Sequence, residues 1–179
     1  MRCFIAIDVS FEIKKEIKNI QEKLKKKVLF TGKFTESENL HLTLKFLGEV
    51  DEEEIEKVKE KLREIKFEEF ETSIGELGVF SRSFSKIIWI KLLGFGIWDL
   101  QKKIDSVLKD LFPVEERFMG HVTIARVKNV SDKKTFLEYL KSIKPKNLKF
   151  KVNEFSLKKS ELLSEGPVYE DLETYKAGD

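Results

Sequence analysis

The chain has 179 residues, 41% hydrophobic and 37% charged, with a net charge of +2, which reads as a soluble globular chain long enough to bury a sizeable core. So small a net charge speaks against a protein that simply coats nucleic acid, although 34 Lys and Arg leave room for a local basic surface. The lone Cys3 excludes an intramolecular disulfide and a cysteine zinc cluster, and no apolar run approaches the roughly 18 residues of a membrane span.

Residues 2–9 (RCFIAIDV) alternate and are rich in β-formers, which predicts a strand rather than a signal peptide. Ile13, Ile17, Ile20 and Leu24 then recur at three- and four-residue steps, the stripe of an amphipathic helix. A strand is expected over 40–47 and a helix over 51–65, with Ile55, Val58, Leu62 and Ile65 on one face. Another β-rich stretch spans about 70–80. After a short turn at 81–84 the order returns, starting with a strand over 85–92. Next comes a helix carrying Ile97, Leu100, Ile104, Val107, Leu108 and Leu111 and closed by Pro113. A strand over 120–128 follows, then a helix over 131–143 with Phe136, Leu137, Leu140 and Ile143, and a strand over about 148–162. Residues 167–175 add a last strand by a hairpin through Gly166.

The order β-α-β-α-β thus occurs twice. It predicts an α+β fold of two similar lobes related by a pseudo-two-fold axis, with mostly antiparallel sheets facing a central cleft and helices outside. No linker rich in Gly, Pro or Ser divides the halves. The expectation is one bilobal domain over 1–179, with lobe halves of approximately 1–80 and 81–179.

His41 and His121 are the only histidines, and each opens the same pattern: His41-Leu42-Thr43-Leu44 and His121-Val122-Thr123-Ile124. In both copies a Val follows at nine residues (Val50, Val130) and a polar helix start at ten (Asp51, Ser131). Strand residues two apart share a face. His41, Thr43, Lys45 and Leu47 therefore belong to one face, while Leu42, Leu44 and Phe46 are expected to pack under the helices. His121 and Thr123 share the equivalent face. If the two sheets face one another, both His-Thr pairs line one cleft.

An imidazole with an unperturbed pKa of about 6.5 exchanges protons near neutrality, and two facing one substrate supply an acid and a base. The Thr hydroxyls are suited to donate to an anionic oxygen. A metal site would need carboxylate or thiolate partners converging on the histidines, and neither motif offers them. A G-x-S-x-G nucleophile elbow is missing, and Gly94-Phe95-Gly96 alone is too weak a signal for a phosphate cradle. Metal-free phosphoester chemistry remains, with a strained ester such as a ribose 2',3'-cyclic phosphate as a suitable substrate.

These residues resemble the two-histidine (2H) phosphoesterase superfamily, and within it the RNA 2',3'-cyclic phosphodiesterase family, also called 2'-5' RNA ligase. The resemblance runs through MRCFIAID, NLHLTLKFLGEV, GELGVF, IIWIKL, GHVTIARVK and GPVYE, and so spans essentially the whole chain. It implies metal-independent opening of a terminal cyclic phosphate to a 2'-phosphate, without a cofactor, and the reverse 2'-5' joining. It further implies that His41 is the proton donor and His121 the proton acceptor, with Thr43 and Thr123 on the phosphate. Arg126 matches an arginine often found five residues after the second His, although simple alternation puts it on the face opposite His121. Lys45 is the rival cation. Phe4, on the face of Arg2, is a candidate for stacking a base, with core packing as the competing reading.

The expected partners are RNA ends, tRNA fragments among them, or cyclic nucleotides, with no membrane and no obligate protein partner, in a cytoplasmic monomer. Two other readings stay open: a small cyclic-nucleotide or ADP-ribose cyclic phosphate hydrolase, and a non-catalytic module that holds RNA ends.

Overall fold

The computed structural model describes residues 1–82 and 85–178, with the side chains of 81, 82 and 85 outside that description. The turn expected at 81–84 falls partly outside it. In chain order the strands are β1 (Arg2–Asp8), β2 (Phe30–Phe34), β3 (His41–Glu49), β4 (Phe70–Arg82), β5 (Ser85–Leu93), β6 (His121–Val130), β7 (Lys149–Val152), β8 (Glu154–Leu163) and β9 (Gly166–Lys176). The helices are α1 (Phe11–Lys27), α2 (Glu52–Arg63), α3 (Phe95–Leu108) and α4 (Lys133–Ser142).

Each helix forms where its apolar stripe and its cap agree. Ser10 caps α1 through its side chain, and Ile13, Ile17, Ile20 and Leu24 are buried as their spacing requires. Asp51 and Glu54 satisfy each other's backbone N–H groups in a capping box at the start of α2. The cap of α4 is Asp132, one residue beyond the expected Ser131, because its carboxylate reaches the Thr135 N–H. Helix α3 stops at Leu108 rather than running to Leu111, as the N–H groups of Leu111 and Phe112 both turn back to the Leu108 carbonyl.

All strand pairs among the described residues are antiparallel, in one nine-stranded sheet ordered β7-β4-β5-β6-β3-β1-β8-β9, with β2 also on β6. The fold is α+β as expected, and the pseudo-two-fold is visible in the pairing. Strand β1 lies between β3 and β8, as β5 lies between β6 and β4.

The expected division near residue 80 does not follow this pairing. Strand β4 pairs with β5 across that boundary, while β8 and β9 return to β1. The halves have exchanged their closing strands. The single strand expected over 148–162 is therefore two strands, with β7 on β4 and β8 on β1. Strand β2 escapes the periodicity because it is five residues long with three exposed in its middle.

The motif strands carry the same burial pattern position for position, half-buried at the His and Thr, buried at the next two residues, then exposed. Two successive buried residues break strict alternation. The cause is a bulge in each strand. In β3 the partners run from Ala6–Thr43 to Ile5–Lys45, skipping Leu44. In β6 they run from Trp89–Thr123 to Ile88–Ala125, skipping Ile124.

The bulge turns Lys45 away from the His41 face and into the interior, where it is 6% exposed. Its ammonium donates to the Asp105 carboxylate and to the Pro113 carbonyl. Gln101 and the Glu115 N–H complete the shell of Asp105. Burial would raise the Asp105 pKa, but these hydrogen bonds, led by Lys45, outweigh it and hold the carboxyl below its usual range. Lys45 is thus a structural tie between β3 and α3, which corrects its expected place as a phosphate-binding cation.

Lys45→Met is expected to strand Asp105 without its ammonium and to cost about 3–5 kcal/mol, read as a lower urea midpoint. The folded-state pKa of Asp105 is depressed, so its contribution is fully present above the ordinary carboxylate pKa. It is lost as pH falls through the lower folded value, and a urea-midpoint series against pH checks that sign.

Candidate active site

Strands β3 and β6 touch through one ladder pair, Leu42 with Val122. Antiparallel register about that pair sets His41 across from Thr123 and Thr43 across from His121. The two histidines are then diagonal neighbours on one face, with Cα atoms about 7–8 Å apart in a regular ladder.

Each ring is oriented in the same way. His41 Nδ1 donates to the Asn39 carbonyl at 2.7 Å and His121 Nδ1 to the Met119 carbonyl at 2.8 Å. A carbonyl can only accept, so Nδ1 carries the proton in the neutral ring and Nε2 is the atom left for chemistry. His41 Nε2 lies 3.1 Å from the Thr43 hydroxyl.

Aromatic rings wall both histidines. Phe4 and Tyr169 lie 4.9 and 5.2 Å from the His41 ring, and Phe80 and Trp89 lie 5.2 and 6.5 Å from the His121 ring. Gly78 makes room for the indole, since a Cβ there would come within 2.3 Å of Trp89. Burial pushes both imidazole pKa values down. The hydrogen bond to the Asn39 carbonyl and the charge of Asp8 act upward on His41, while Lys158 and His121 act downward. On His121 the hydrogen bond to Met119 acts upward.

The bulge in β6 resolves the parity of Arg126. It places Arg126 on the face of His121 and Thr123, exposed and near enough to Tyr169 to favour the phenolate, against the burial that raises that phenol's pKa. The equivalent bulge in β3 turns Phe46 to the same face, 76% exposed instead of packed under the helices. Phe46 and Arg126 are matched positions of the two motif strands.

Phe4 is 4% exposed beneath His41, Phe46 and Tyr169. Too little of its ring is open to stack a base, and it serves as floor instead. His41, Thr43, His121, Thr123 and Arg126 are brought together; Lys45 and Phe4 are not available to a ligand. Tyr169, Phe80, Trp89 and Phe46 were missed, because their convergence depends on pairing between distant strands and on the two bulges. Among the described residues, no three His, Cys, Asp or Glu side chains are grouped to hold a metal ion.

The family model for LigT-like phosphoesterases matches residues 7–89 and 96–169. The chain belongs to the LigT-like phosphoesterases. It is 37% identical to the RNA 2',3'-cyclic phosphodiesterase of Methanocaldococcus jannaschii, over 95% of this chain and 97% of that one. It is 38% identical to the protein of the same name from Thermotoga maritima, over 96% and 93%. Among solved structures, TT0787 of Thermus thermophilus superposes with a TM-score of 0.82 at 25% identity, covering 98% and 97% of the two chains. Escherichia coli LigT complexed with 3'-AMP superposes at 0.79 and 25%, covering 99% and 98%.

Titration of the two imidazoles is the direct check on this environment. With two histidines in the chain, each imidazole can be followed by NMR and assigned with one His→Gln variant apiece. Both midpoints are expected below the ordinary value of about 6.5, because burial disfavours the imidazolium.

Proposed function

We propose that the protein hydrolyses RNA 2',3'-cyclic phosphate ends to 2'-phosphates by paired-histidine acid–base catalysis without a metal or other cofactor. The observation that carries this reading is the pair of imidazoles placed diagonally across one ladder pair, each with Nδ1 tied to a carbonyl so that Nε2 is the atom turned to chemistry, that of His41 beside the Thr43 hydroxyl. Relatives named RNA 2',3'-cyclic phosphodiesterase, aligned over nearly the full chain, supply the substrate class, and a structural neighbour bound to 3'-AMP fits a nucleotide in such a cleft.

In the proposed step His121 Nε2 takes a proton from water as its oxygen attacks phosphorus. The bond from phosphorus to the 3' oxygen breaks, and His41, as imidazolium, protonates that leaving oxygen. The product carries a 2'-phosphate and a 3'-hydroxyl. Thr43, Thr123 and the fork of Arg126 hold the non-bridging oxygens, where a planar guanidinium grips two at once. With a 5'-hydroxyl in the role of water, the same groups in the same roles form a 2'-5' bond and release the 3' oxygen; cleavage of that bond by the 3'-hydroxyl exchanges the roles. Exposed Phe46 offers a stacking surface for the terminal base. No helix among the described residues is long and apolar enough to cross a membrane, and the proposed setting is the cytoplasm, with RNA ends as the partner and the protein a monomer.

His41→Ala and His121→Ala are each expected to remove most hydrolysis of an oligonucleotide ending in 2',3'-cyclic phosphate, by about 10²–10⁴-fold. The double variant should be little worse than either single, since the groups act as one unit. The wild type should stay active in chelator; full loss, restored by a divalent ion, would overturn the metal-free mechanism. Free cyclic nucleotides assayed beside the oligonucleotide separate the small-substrate reading, and binding without turnover would favour the module that only holds RNA ends.

The next expectation concerns the two bulge-turned positions. Arg126→Lys should lose activity and Arg126→Ala more, chiefly in kcat, because the grip tightens as charge builds on phosphorus. Phe46→Ala should chiefly raise KM for the oligonucleotide. Steady-state kinetics on the three variants would contradict these roles if Arg126→Ala behaved as wild type or Phe46→Ala altered kcat alone.

A further inference from the structure

The features that orient the histidines are symmetric and therefore cannot decide which one gives the proton. Each Nδ1 bonds a carbonyl two residues upstream, each ring has a Thr two residues on, and each is walled by aromatics. The symmetry breaks in the strand beside each motif strand. Asp8 on β1 is the cross-strand partner of His41, whereas the matched partner of His121 on β5 is Lys91.

The charges around His41 come from several elements. Asp8 Oδ2 accepts from Lys158 Nζ of β8 at 3.0 Å, and the same ammonium donates to Asp171 of β9. Lys158 is buried, whereas both carboxylates are about half exposed. Two carboxylates against one ammonium leave the trio with one net negative charge. Tyr169 of β9 faces the ring as a neutral phenol, and His121 of β6 is the remaining titratable neighbour. Around His121, Lys91 is the register partner on β5, Arg126 lies on the same face of β6 and His41 stands across on β3, while burial and the hydrogen bond to Met119 are what act on its ring.

We infer that Asp8 is a positioning residue that favours the proton-donating imidazolium of His41 against the burial that opposes it, and that the contrast between Asp8 and Lys91 at matched positions biases His41 toward the acid and His121 toward the base. The inference rests on the proposed hydrolysis for its consequence, although its electrostatic part stands without turnover. A carboxylate one strand away stabilises an imidazolium and counters the burial that disfavours it. Lys158 retains Asp171 when Asp8 is neutralised, so Asp8→Asn leaves the buried ammonium paired.

The experiment follows both imidazoles by NMR titration in the intact wild-type protein, in Asp8→Asn and in Lys91→Glu, with pH–rate profiles on a 2',3'-cyclic-phosphate oligonucleotide alongside. Asp8→Asn is expected to lower the His41 midpoint and leave that of His121 in place. The alkaline limb of kcat should move to lower pH with it, with kcat above neutrality reduced roughly three- to tenfold and KM little changed. Asp8→Glu, which keeps the charge, should recover most of the loss. Lys91→Glu should raise the His121 midpoint and move the acid limb up. A His41 midpoint that does not respond to Asp8→Asn overturns the inference while leaving the paired-histidine reading intact. Persistent turnover in His41→Ala overturns that reading instead, and the NMR midpoints still judge the role of Asp8.

Discussion

One backbone contact, the antiparallel pairing of Leu42 with Val122, holds the geometry of the site. Beyond that pair β6 leaves β3 and takes β2 as its neighbour, from Ala125 to Val130. The sheet forks there. A longer ladder would lay the two motif strands flat beside each other, and no contact at all would let the halves drift. A single pair, with Leu42 and Val122 both buried below it, fixes the register of the histidines while letting the sheets diverge around a substrate.

The paired bulges depend on buried polar groups behind the sheet. Skipping a residue leaves a backbone group outside the ladder, and an unpaired buried carbonyl is costly. At the β6 bulge the Ile124 carbonyl accepts from Gln21 of α1 at 2.9 Å and from the Thr35 N–H at 3.0 Å. At the β3 bulge the interior receives Lys45 itself, met by Asp105 of α3, whose carboxylate Gln101 also holds. The chain's two glutamines are both buried, one behind each bulge. A helix from each half thus supports the motif strand of the other, which ties core packing to the aim of Arg126 and Phe46.

The surroundings of the two histidines are alike in scaffold and unlike in charge. Backbone carbonyls and aromatic walls repeat, because these hold a ring still and keep water from it whichever way a proton moves. Among the described residues, Asp8, Lys158 and Asp171 have no repeat around His121. Phe46 and Arg126 differ at matched positions in the same way, one apolar and one cationic. The fold supplies two equivalent mounts, and the side chains placed on them make the two sides chemically distinct.

Much of this was legible in the chain. Helix stripes at Ile13–Leu24 and Ile55–Leu62, the order β-α-β-α-β twice, and the paired His-x-Thr motifs rest on local periodicity and spacing, which do not depend on what each segment packs against. The sequence by itself therefore determined the α+β class and the two histidines. It could not determine which β-stretches pair, so the exchange of β4 and β8 between halves appears only in the tertiary structure. Nor could it reveal the bulges. A skipped residue leaves no local signature when one copy buries a lysine, Lys45, and the other an alanine, Ala125. That one-residue slip, set by hydrogen bonds from distant helices, moved Lys45 inward and turned Arg126 and Phe46 to the face of the histidines. A strand's side-chain period is two, so any extra residue reverses every assignment beyond it, and only the packed structure decides where that happens.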